Sequence, residues 1–350
     1  MASPLRWGII GTGEIASDFA AALHKSACCE VVNAVGSAPG RAQAFADRFD
    51  LPNVCDTIEQ LLADDQVDAV YIATPHPMHE RLTIACLRAG KHVLCEKPIT
   101  VDAAGAERVI NAASEQNVFL MEAFMYRCHP LTAKLIQVLQ SGAIGEARHI
   151  RADFGFHVPR RPEHRLFNPD LGGGAILDVG GYPVSFARLV AGIAAGNPFE
   201  QPSDLCATCQ RGPTGVDELA TAQLTFPSGV SAQITAAVHH PTGTAATVFG
   251  TAGSIHLPDP WVPGSDRHGL TTHFELRPHD GPVQQIEVTT DQATYAIEAE
   301  LVANAIQSGK QQADWPAMSW QDSLGNMQVL DEWRKQLGIV VAAQGERVGP

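Results

Sequence analysis

The chain has 350 residues, roughly twice the 100 to 200 residues of a usual domain, so we expect two domains. Lysine and arginine number 24 against 38 aspartates and glutamates, which gives a net charge of −14, and we therefore expect neither nucleic acid nor a membrane surface as a partner. Charged residues make up 18% and apolar residues 45%, a composition that excludes a disordered chain.

Neither a membrane span nor an export segment is expected. No apolar run reaches the roughly 18 residues that a spanning helix needs, and residues 1–7 lack the features of a secretory signal. The eight cysteines are too sparse for a disulfide scaffold, so reduced thiols in a cytoplasmic protein are the simpler interpretation. Cys206 and Cys209 form a lone CxxC motif; redox or zinc chemistry is the alternative, but nothing nearby completes a site, and we interpret both as structural thiols.

The first 125 residues alternate short apolar runs with helix-length amphipathic stretches, a pattern typical of a parallel sheet covered by helices. The predicted strands are 6–10, 31–35, 69–73, 92–95 and 118–121. The predicted helices are 16–24, 41–48, 58–62, 78–89 and 103–114. We therefore expect an α/β fold whose first domain spans 1–125.

Beyond residue 145 the pattern changes to alternating runs, which predict a mostly antiparallel sheet in a second α/β domain spanning 126–350. The predicted strands are 147–156, 217–226, 230–237, 247–249, 273–276 and 284–288, and the predicted helices are 131–140, 184–194, 295–308 and 320–336. The segment 257–264 is rich in proline, and we expect it to be a mobile insertion.

The turn after the first predicted strand carries Gly11-Thr12-Gly13-Glu14-Ile15-Ala16, a GxGxxA motif that opens a helix. The first glycine allows the tight turn, the second lets the backbone approach a pyrophosphate, and the alanine permits close helix packing. A tight turn of purely structural role is the alternative. The motif predicts that 1–125 binds a dinucleotide, which the first five of these residues contact.

The end of the second predicted strand bears on the choice of dinucleotide. Gly36 and Ser37 stand where an acidic side chain would bind the adenosine ribose of NAD. Ser37 and Arg41 could instead donate hydrogen bonds to a 2′-phosphate, so we favour NADP(H) over NAD(H) as the cofactor. The alternative for Arg41 is a solvated charge at a helix start.

Polar residues also follow the third and fourth strands, at the sheet edge where ligands bind in such folds. They predict further cofactor contacts from Thr74, Pro75, His76, His79, Glu96 and Lys97. A lysine before a proline is otherwise an ordinary loop charge, and the Lys97–Pro98 bond is a candidate for the cis form. The His76 and His79 pair lacks a third ligand, so we predict no metal site.

These motifs and two others resemble the glucose–fructose oxidoreductase, inositol dehydrogenase and rhizopine catabolism (Gfo/Idh/MocA) family. The matching pieces are 11–16, 72–75, 96–98, 121–130 (MEAFMYRCHP) and 172–183 (GGGAILDVGGYP). The resemblance implies a Rossmann domain followed by an α/β domain with an open antiparallel sheet, whose outer face often forms a homodimer interface. It also implies a sugar-like or polyol substrate between the domains.

The last motif reads Asp178-Val-Gly-Gly-Tyr182, whereas many members of this family carry histidine at the final position. The tyrosine looks like that of the dimeric dihydrodiol dehydrogenases, NADP-dependent xylose dehydrogenases and glucose–fructose oxidoreductases, in which a lysine and a tyrosine at the positions of Lys97 and Tyr182 serve the hydride site. Gly181, where relatives tend to have a bulkier apolar residue, is a departure that could enlarge or loosen the pocket.

Oxidation of a sugar hydroxyl needs a hydride acceptor and a base for the hydroxyl proton, and Tyr182 can be that base. A free phenol has a pKa of about 10, which a nearby ammonium such as Lys97 lowers. Asp178 lies four residues before Tyr182, so in a helical turn the two share a face and the carboxylate could orient Lys97 or hold a substrate hydroxyl. A hydrogen-bonded core residue is the alternative role for Tyr182.

Further substrate contacts are predicted on either side of this motif. Tyr126, Arg127 and His157 are candidates, together with Lys97, Asp178 and Tyr182. Tyr126 and Arg127 could equally pack the domain junction. The basic segment 157–165 could contact sugar hydroxyls or cofactor phosphate, or be a solvated loop, and the glycines 172–174 indicate a close backbone approach.

Three functions remain open at this stage. The leading hypothesis is an NADP(H)-dependent oxidoreductase that transfers hydride between nicotinamide and an aldose or a related cyclic polyol or carbonyl compound. The second is an enzyme that retains its NADP(H) and uses it to oxidise one sugar and reduce another, or to oxidise a glycoside. The third is a non-enzymatic nucleotide-sensing regulator, against which the presence of Lys97, Asp178 and Tyr182 argues.

Overall fold

The first sheet of the protein has five strands and is parallel throughout. The computed structural model describes residues 3–264 and 269–339; residues 1–2, 265–268 and 340–350 of the predicted domains lie outside this range. The strands are β1 (Leu5–Ile10), β2 (Cys29–Val35), β3 (Ala69–Ile72), β4 (His92–Glu96) and β5 (Leu120–Ala123), in the order β2-β1-β3-β4-β5. Every residue of β3 is buried, because helices cover both faces of a parallel sheet.

The connecting helices pack aromatic side chains against this sheet. They are α1 (Glu14–Leu23), α2 (Pro39–Phe49), α3 (Ile58–Leu62), α4 (His79–Arg88) and α5 (Ala103–Gln116). Phe19 of α1 stacks on Tyr71 of β3 at 3.9 Å between ring centroids, and its edge meets Trp7 of β1. The strand order reverses at β1, so the carboxyl ends of β1 and β3 frame a crevice.

The second sheet has eight strands and is antiparallel except where β6 and β9 pair in parallel. Its strands are β6 (Ala147–Gly155), β7 (Asp204–Arg211), β8 (Asp217–Thr225), β9 (Ser231–Ala237), β10 (Ala246–Gly250), β11 (Gly253–Leu257), β12 (Thr271–Pro278) and β13 (Gln284–Thr289). Their order is β13-β12-β11-β10-β6-β9-β8-β7. In β8, Ala222 and Leu224 are buried whereas Gln223 and Thr225 are exposed, the alternation expected of a sheet with one covered face.

The remaining helices join the two sheets. They are α6 (Met125–Cys128), α7 (Pro130–Gln140), α8 (Gly181–Ala195), α9 (Thr294–Gln307) and α10 (Trp320–Gln336). α8 packs on β6 and β9, while α9 packs on α1 and α10 packs on both α5 and α8. The predicted architecture, a Rossmann-like domain followed by an α/β domain with a mostly antiparallel sheet, is therefore confirmed. The predicted boundary at residue 125 falls at the start of α6 and stays a prediction.

Two strands of the second sheet escape sequence prediction. β7 lies at the sheet edge and buries only Leu205, so it lacks an apolar alternation, and β11 is short. β7 contains the CxxC motif: Cys206 and Cys209 are three residues apart on an extended strand and so point to opposite faces, about 10 Å apart. This geometry excludes a disulfide between the two thiols.

The proline-rich segment 257–264 is packed, so the prediction of a mobile insertion is wrong for these residues. Trp261 is fully buried, its indole Nε1 donates a hydrogen bond to the Asp153 carbonyl over 2.9 Å, and its ring lies against Phe154, Tyr182 and Phe186. A large aromatic side chain with a satisfied N–H favours burial strongly enough to fix a loop that lacks regular structure.

Within the part of the chain that the structure describes, one helical stretch, 169–195, is long and apolar enough by length and composition to cross a membrane. It lies between the second sheet and α10, and 94% of its most apolar window is buried inside the protein. Its apolar character is that of a core helix enclosed by both halves of the fold.

Candidate active site

A cleft of about 560 Å³ opens at the carboxyl edge of the parallel sheet, where the sheet order reverses. Every residue that the sequence predicts to contact the cofactor lines it: Gly11, Thr12, Gly13, Glu14, Ile15, Ser37, Arg41, Thr74, Pro75, His76, His79, Glu96 and Lys97. The second half of the chain contributes Arg165, Leu171 and Asp178. The cleft thus lies between the two halves of the fold, and binding by these residues stays a prediction.

The glycines of the first turn have different geometric roles. Gly11 has φ +102°, and a Cβ at this position would lie 2.6 Å from the Ala73 carbonyl oxygen, so only glycine fits the turn. A Cβ at Gly13 would have no protein atom within 4 Å and would occupy the cleft itself. The open space at Gly13, in front of the N-terminus of α1, fits the approach of a pyrophosphate.

The other end of the cleft carries the residues expected to distinguish NADP from NAD. Ser37 and Arg41 are exposed at its rim, after β2 and in the first turns of α2. Among the described residues, the Arg41 guanidinium makes no ion pair. The donors that would meet a 2′-phosphate are therefore present and uncommitted.

Lys97 follows β4 and points across the cleft toward the second half of the chain. Its ammonium donates a hydrogen bond to the backbone carbonyl of Asp178 over 2.9 Å and lies 4.0 Å from the Asp178 carboxylate. It also lies 5.3 Å from the centroid of the Tyr182 ring. The Lys97–Pro98 peptide bond is cis, as predicted. The structure thus brings together the three side chains that the sequence assigns to catalysis.

The carboxylate of Asp178 is surrounded by cationic and neutral nitrogen groups. Arg165 donates to it over 2.6 Å, and the His76 Nε2 lies 3.9 Å away. Burial alone would raise the pKa of this carboxyl, but the charges of Arg165 and Lys97 outweigh burial and hold the pKa well below its usual range. Asp178 is therefore ionised throughout the working range of an enzyme.

His79 ties together the two loops that carry the predicted ligands. Its Nδ1 contacts the Pro98 carbonyl and its Nε2 contacts the Thr74 carbonyl, both at 2.8 Å. Both ring nitrogens are occupied, which excludes metal ligation by His79 in this arrangement. His76 is also buried, and burial lowers its pKa to about 3, so its ring is neutral.

Glu96 lies behind the cleft with little exposure. The Tyr71 hydroxyl donates a hydrogen bond to its carboxylate over 2.5 Å, and burial raises the pKa of Glu96. The Glu96 carboxyl group is therefore already bonded to Tyr71 of β3, and Glu96 forms only a small part of the cleft surface.

Tyr182 sits in an aromatic pocket rather than beside a free ammonium. Phe124, Phe154 and Trp261 surround its ring, and the hydroxyl touches the Met125 sulfur at 3.7 Å. Burial raises the pKa of Tyr182 well above the usual value of about 10. The expectation that Lys97 favours the phenolate is therefore wrong for this structure, because the ammonium lies over the ring and bonds to Asp178. The phenol is protonated at neutral pH.

The segment between Asp178 and Tyr182 is not a regular α-helix. Residues Ile176–Gly180 form a π-helical turn that runs into α8. Such single π-turns are frequent at functional sites. The predicted shared face of Asp178 and Tyr182 is realised through this wider turn, with Lys97 contacting the carbonyl of one residue and the ring of the other.

Three predicted substrate contacts lie elsewhere, and the prediction is corrected for them. Arg127 is fully buried and pairs with Asp322 at 2.7 Å, and the Tyr126 hydroxyl donates to Ser185 in the same core. Both residues pack the junction, the alternative role considered above. His157 is exposed and bonded to the His239 carbonyl, and it does not line the cleft.

Two features of the sequence gain an explanation here. Arg165 is the residue of the basic segment 157–165 that lines the cleft. Its charge made it a candidate for contact with substrate or cofactor. Its ion pair with Asp178 could not be predicted from the spacing of the two residues. A Cβ at Gly181 would meet the Phe124 ring at 3.1 Å. The missing side chain at Gly181 therefore does not enlarge the pocket, because Phe124 fills the space.

Comparisons with known proteins agree with this geometry. The trans-1,2-dihydrobenzene-1,2-diol dehydrogenase of Xenopus tropicalis is 32% identical over 95% of this chain and 98% of its own length. The Homo sapiens enzyme of the same name is 33% identical over 96% of this chain and 97% of its own length.

The family profiles cover both halves of the fold. The profile described as "Oxidoreductase family, NAD-binding Rossmann fold" matches residues 5–124. The profile described as "GFO/IDH/MocA C-terminal domain" matches residues 132–256. This chain belongs to the Gfo/Idh/MocA oxidoreductase family. The predictions of a Gfo/Idh/MocA protein and of an NAD(P)-dependent dehydrogenase acting on CH–OH groups are confirmed.

Solved structures of other proteins have the same fold over nearly the whole chain. KijD10, a 3-ketoreductase from Actinomadura kijaniata in complex with NADP and TDP-benzene, has a TM-score of 0.84 and 30% identity, covering 96% of this chain and 98% of its own. The aldose–aldose oxidoreductase from Caulobacter crescentus has a TM-score of 0.82 and 23% identity, over 95% and 97% of the two chains. The latter likeness is one of fold.

We predict opposite effects of alanine at the two glycines of the first turn. Gly13→Ala leaves the unfolding free energy within about 0.5 kcal/mol of the wild type but weakens nicotinamide nucleotide binding by about tenfold or more. Gly11→Ala costs at least about 1 kcal/mol of stability, because alanine strains the positive φ and meets the Ala73 carbonyl. Urea unfolding of the apoprotein measures the stability of each variant, and titration with NADP measures its affinity. Equal losses of stability in the two variants would contradict the different roles given to Gly11 and Gly13.

Proposed function

We propose that this protein is an NADP(H)-dependent oxidoreductase that interconverts a CH–OH group and a carbonyl group on a sugar or a related cyclic polyol. One observation carries the proposal: the cleft lined by the glycine turn, Ser37 and Arg41 continues to Lys97 and Asp178, with Tyr182 directly behind them. The nucleotide-binding residues thus share one continuous space with Lys97 and Asp178, and Tyr182 lies outside its lining, in contact with Lys97.

The nucleotide end supports NADP over NAD. Arg41 and Ser37 present a cation and a hydroxyl where NAD enzymes place a carboxylate, and a carboxylate would repel a 2′-phosphate. The glycine turn and the N-terminus of α1 would hold the pyrophosphate. Arg165, half exposed and reaching from the opposite wall, would add a charge-assisted donor to the bound cofactor or substrate.

The nicotinamide, when bound, supplies or accepts the hydride. This chain's own residues must then handle the proton and the substrate oxygen. Because Tyr182 is a protonated phenol, it donates a proton to the carbonyl oxygen in the reductive direction and becomes a phenolate; in the oxidative direction the phenolate form accepts the proton of the substrate hydroxyl. The aromatic walls around it exclude water from the transfer.

Lys97 orients the substrate oxygen. An ammonium has three N–H donors, and one is given to the Asp178 carbonyl, which leaves donors for the developing alkoxide. The Asp178 carboxylate, held ionised by Arg165, offsets one of the two positive charges of this corner and restrains the lysine. Asp178 therefore acts through Lys97 and needs no proton of its own.

We infer a ring-shaped substrate. Of the aromatic rings around Tyr182, Phe124 and Trp261 are buried, whereas Phe154 is partly exposed and offers apolar surface onto which the C–H face of a sugar or diol ring can pack. The relatives named above are dihydrodiol dehydrogenases and a ketoreductase, which agrees with a cyclic substrate bearing adjacent oxygen atoms.

The experiment that tests this function is an absorbance assay at 340 nm with NADP and separately with NAD. Xylose, glucose, other aldoses and a trans-dihydrodiol serve as substrates, after the purified protein has been checked for bound nicotinamide. We expect net NADP reduction with one of these classes and far less with NAD. Nicotinamide that is released only on denaturation, with no net reduction, would favour the enzyme that retains and recycles its NADP(H).

We predict that Tyr182→Phe lowers turnover by about 10² to 10⁴ while NADP binding is retained, since only the proton-transfer group is lost.

Wild-type oxidation should rise by about tenfold per pH unit from pH 7 to pH 9, because burial keeps the Tyr182 pKa above this range and the basic form grows with pH. The variant should lose this dependence.

Tyr126→Phe is the matched control, because the Tyr126 hydroxyl bonds to Ser185 away from the cleft. Its turnover should stay within about threefold of the wild type. Near-normal turnover of Tyr182→Phe, or an oxidation rate that is flat with pH, would exclude Tyr182 as the acid/base group.

Arg41→Ala should weaken NADP binding by about tenfold or more and leave NAD binding within about twofold, because only NADP carries the 2′-phosphate. Arg48→Ala, in the same helix but over the Phe49 ring rather than in the cleft, is the control. Titration followed by protein fluorescence measures both affinities. Equal weakening of the two nucleotides would assign Arg41 to a structural role.

Assembly and location stay predictions. The outer face of the eight-stranded sheet presents polar side chains such as Gln223, Thr225 and Gln233, and we propose that a second copy packs against it to form a homodimer. A cytoplasmic location is likewise proposed from the sequence, and neither nucleic acid nor a membrane is proposed as a partner.

A further inference from the structure

A buried carboxylate from the second sheet meets the helix that carries Asp178 and Tyr182. Asp217, the first residue of β8, is 2% exposed. Its Oδ2 accepts a hydrogen bond from the backbone N–H of Ile176 over 2.7 Å. Ile176 opens the π-helical turn, two residues before Asp178 and six before Tyr182.

The third glycine of the Gly172–Gly174 motif makes this contact possible. Gly174 has φ +116°, and a Cβ there would lie 2.3 Å from the Asp217 Oδ1. The backbone of the helix start is therefore pressed directly against the carboxylate. The Asp178 N–H in turn bonds to the Gly174 carbonyl over 3.2 Å, which links the anchored turn to the residue that holds Lys97.

The charges around Asp217 show that amides, not a cation, hold it. The first N–H groups of a helix have no partner within the helix and favour a negative charge. Arg334 of α10 is the cation that acts on Asp217, but Arg334 is committed to Asp331 and the Val101 carbonyl. Burial raises the pKa of Asp217 to about 6, so the carboxylate is mostly ionised at neutral pH.

We propose that Asp217 is a positioning residue, which fixes the start of the helix and thereby the place of the Asp178 carbonyl and the Tyr182 ring relative to Lys97. The inference rests on the proposed function, because it assigns Lys97 and Tyr182 to the transfer. A shift of about 1 Å in such a constellation can lower the rate by about 100-fold. Asp217 touches neither the cleft nor any reacting group.

The test compares Asp217→Ala, Asp217→Asn and the control Glu218→Gln. Glu218 is the next residue of β8, but its carboxylate pairs with Arg160 away from the helix. We expect Asp217→Ala to lower kcat by about 100-fold with Kd for NADP and KM within about threefold. Asparagine keeps an acceptor oxygen, so Asp217→Asn should recover most of the rate, and Glu218→Gln should retain it.

Hydrogen exchange of the peptide 174–182 in the apoprotein gives a readout that needs no substrate. In Asp217→Asn, which keeps the volume of the side chain, exchange of the Ile176 amide should be slightly faster than in the wild type, and in folded Asp217→Ala much faster. If the wild type turns over no substrate, only the proposed function fails and the exchange rates still decide the positioning role. Unchanged exchange, or loss of kcat and NADP affinity in equal proportion, would overturn the proposal.

Discussion

The hydrogen bond from the Lys97 ammonium to the Asp178 carbonyl joins the two halves of this protein at the point where its chemistry takes place. Lys97 follows β4 at the carboxyl ends of the parallel strands, and Asp178 lies in the helical turn that leads into α8, which packs on the antiparallel sheet. Each partner is held by its own half: His79 fastens the backbone around Lys97, and the turn from Gly174 to Gly180 fixes Asp178. The geometry of the site therefore depends on how the halves are packed together.

The electrostatics of the site depend on the same meeting point. Arg165 and Lys97 share one carboxylate, that of Asp178, and no described acid other than Glu96 and Glu14 lines the cleft with them. The corner therefore carries about one net positive charge, which suits a site for a nucleotide with several phosphate charges. Tyr182, beside this corner but enclosed by aromatic rings, keeps its proton. The raised pKa of Tyr182 could not be predicted from its spacing from Asp178, because burial rather than distance determines that pKa.

Much of the fold could be predicted from the sequence. The parallel sheet followed from the apolar runs, and the residues predicted to contact the cofactor lie together because strand ends meet at one edge. The edge strand β7 could not be predicted, since it buries a single apolar side chain. Arg127 was assigned to the substrate because charge suggests exposure, whereas its partners Asp322 and Ser185 come from distant segments. The burial of Trp261 is likewise a tertiary effect that local sequence does not encode.

The packing of α9 on α1 and of α10 on α5 bears on how this protein is made. Helices α9 and α10 are synthesised after the parallel sheet and its connecting helices, and they cover apolar faces of that half. A nascent chain that has reached only residue 125 therefore presents those faces uncovered, and such intermediates are prone to aggregation. The packing of the parallel-sheet half is completed by α10, in which Leu330 and Trp333 are buried. This half is therefore fully covered only after α10 has left the ribosome.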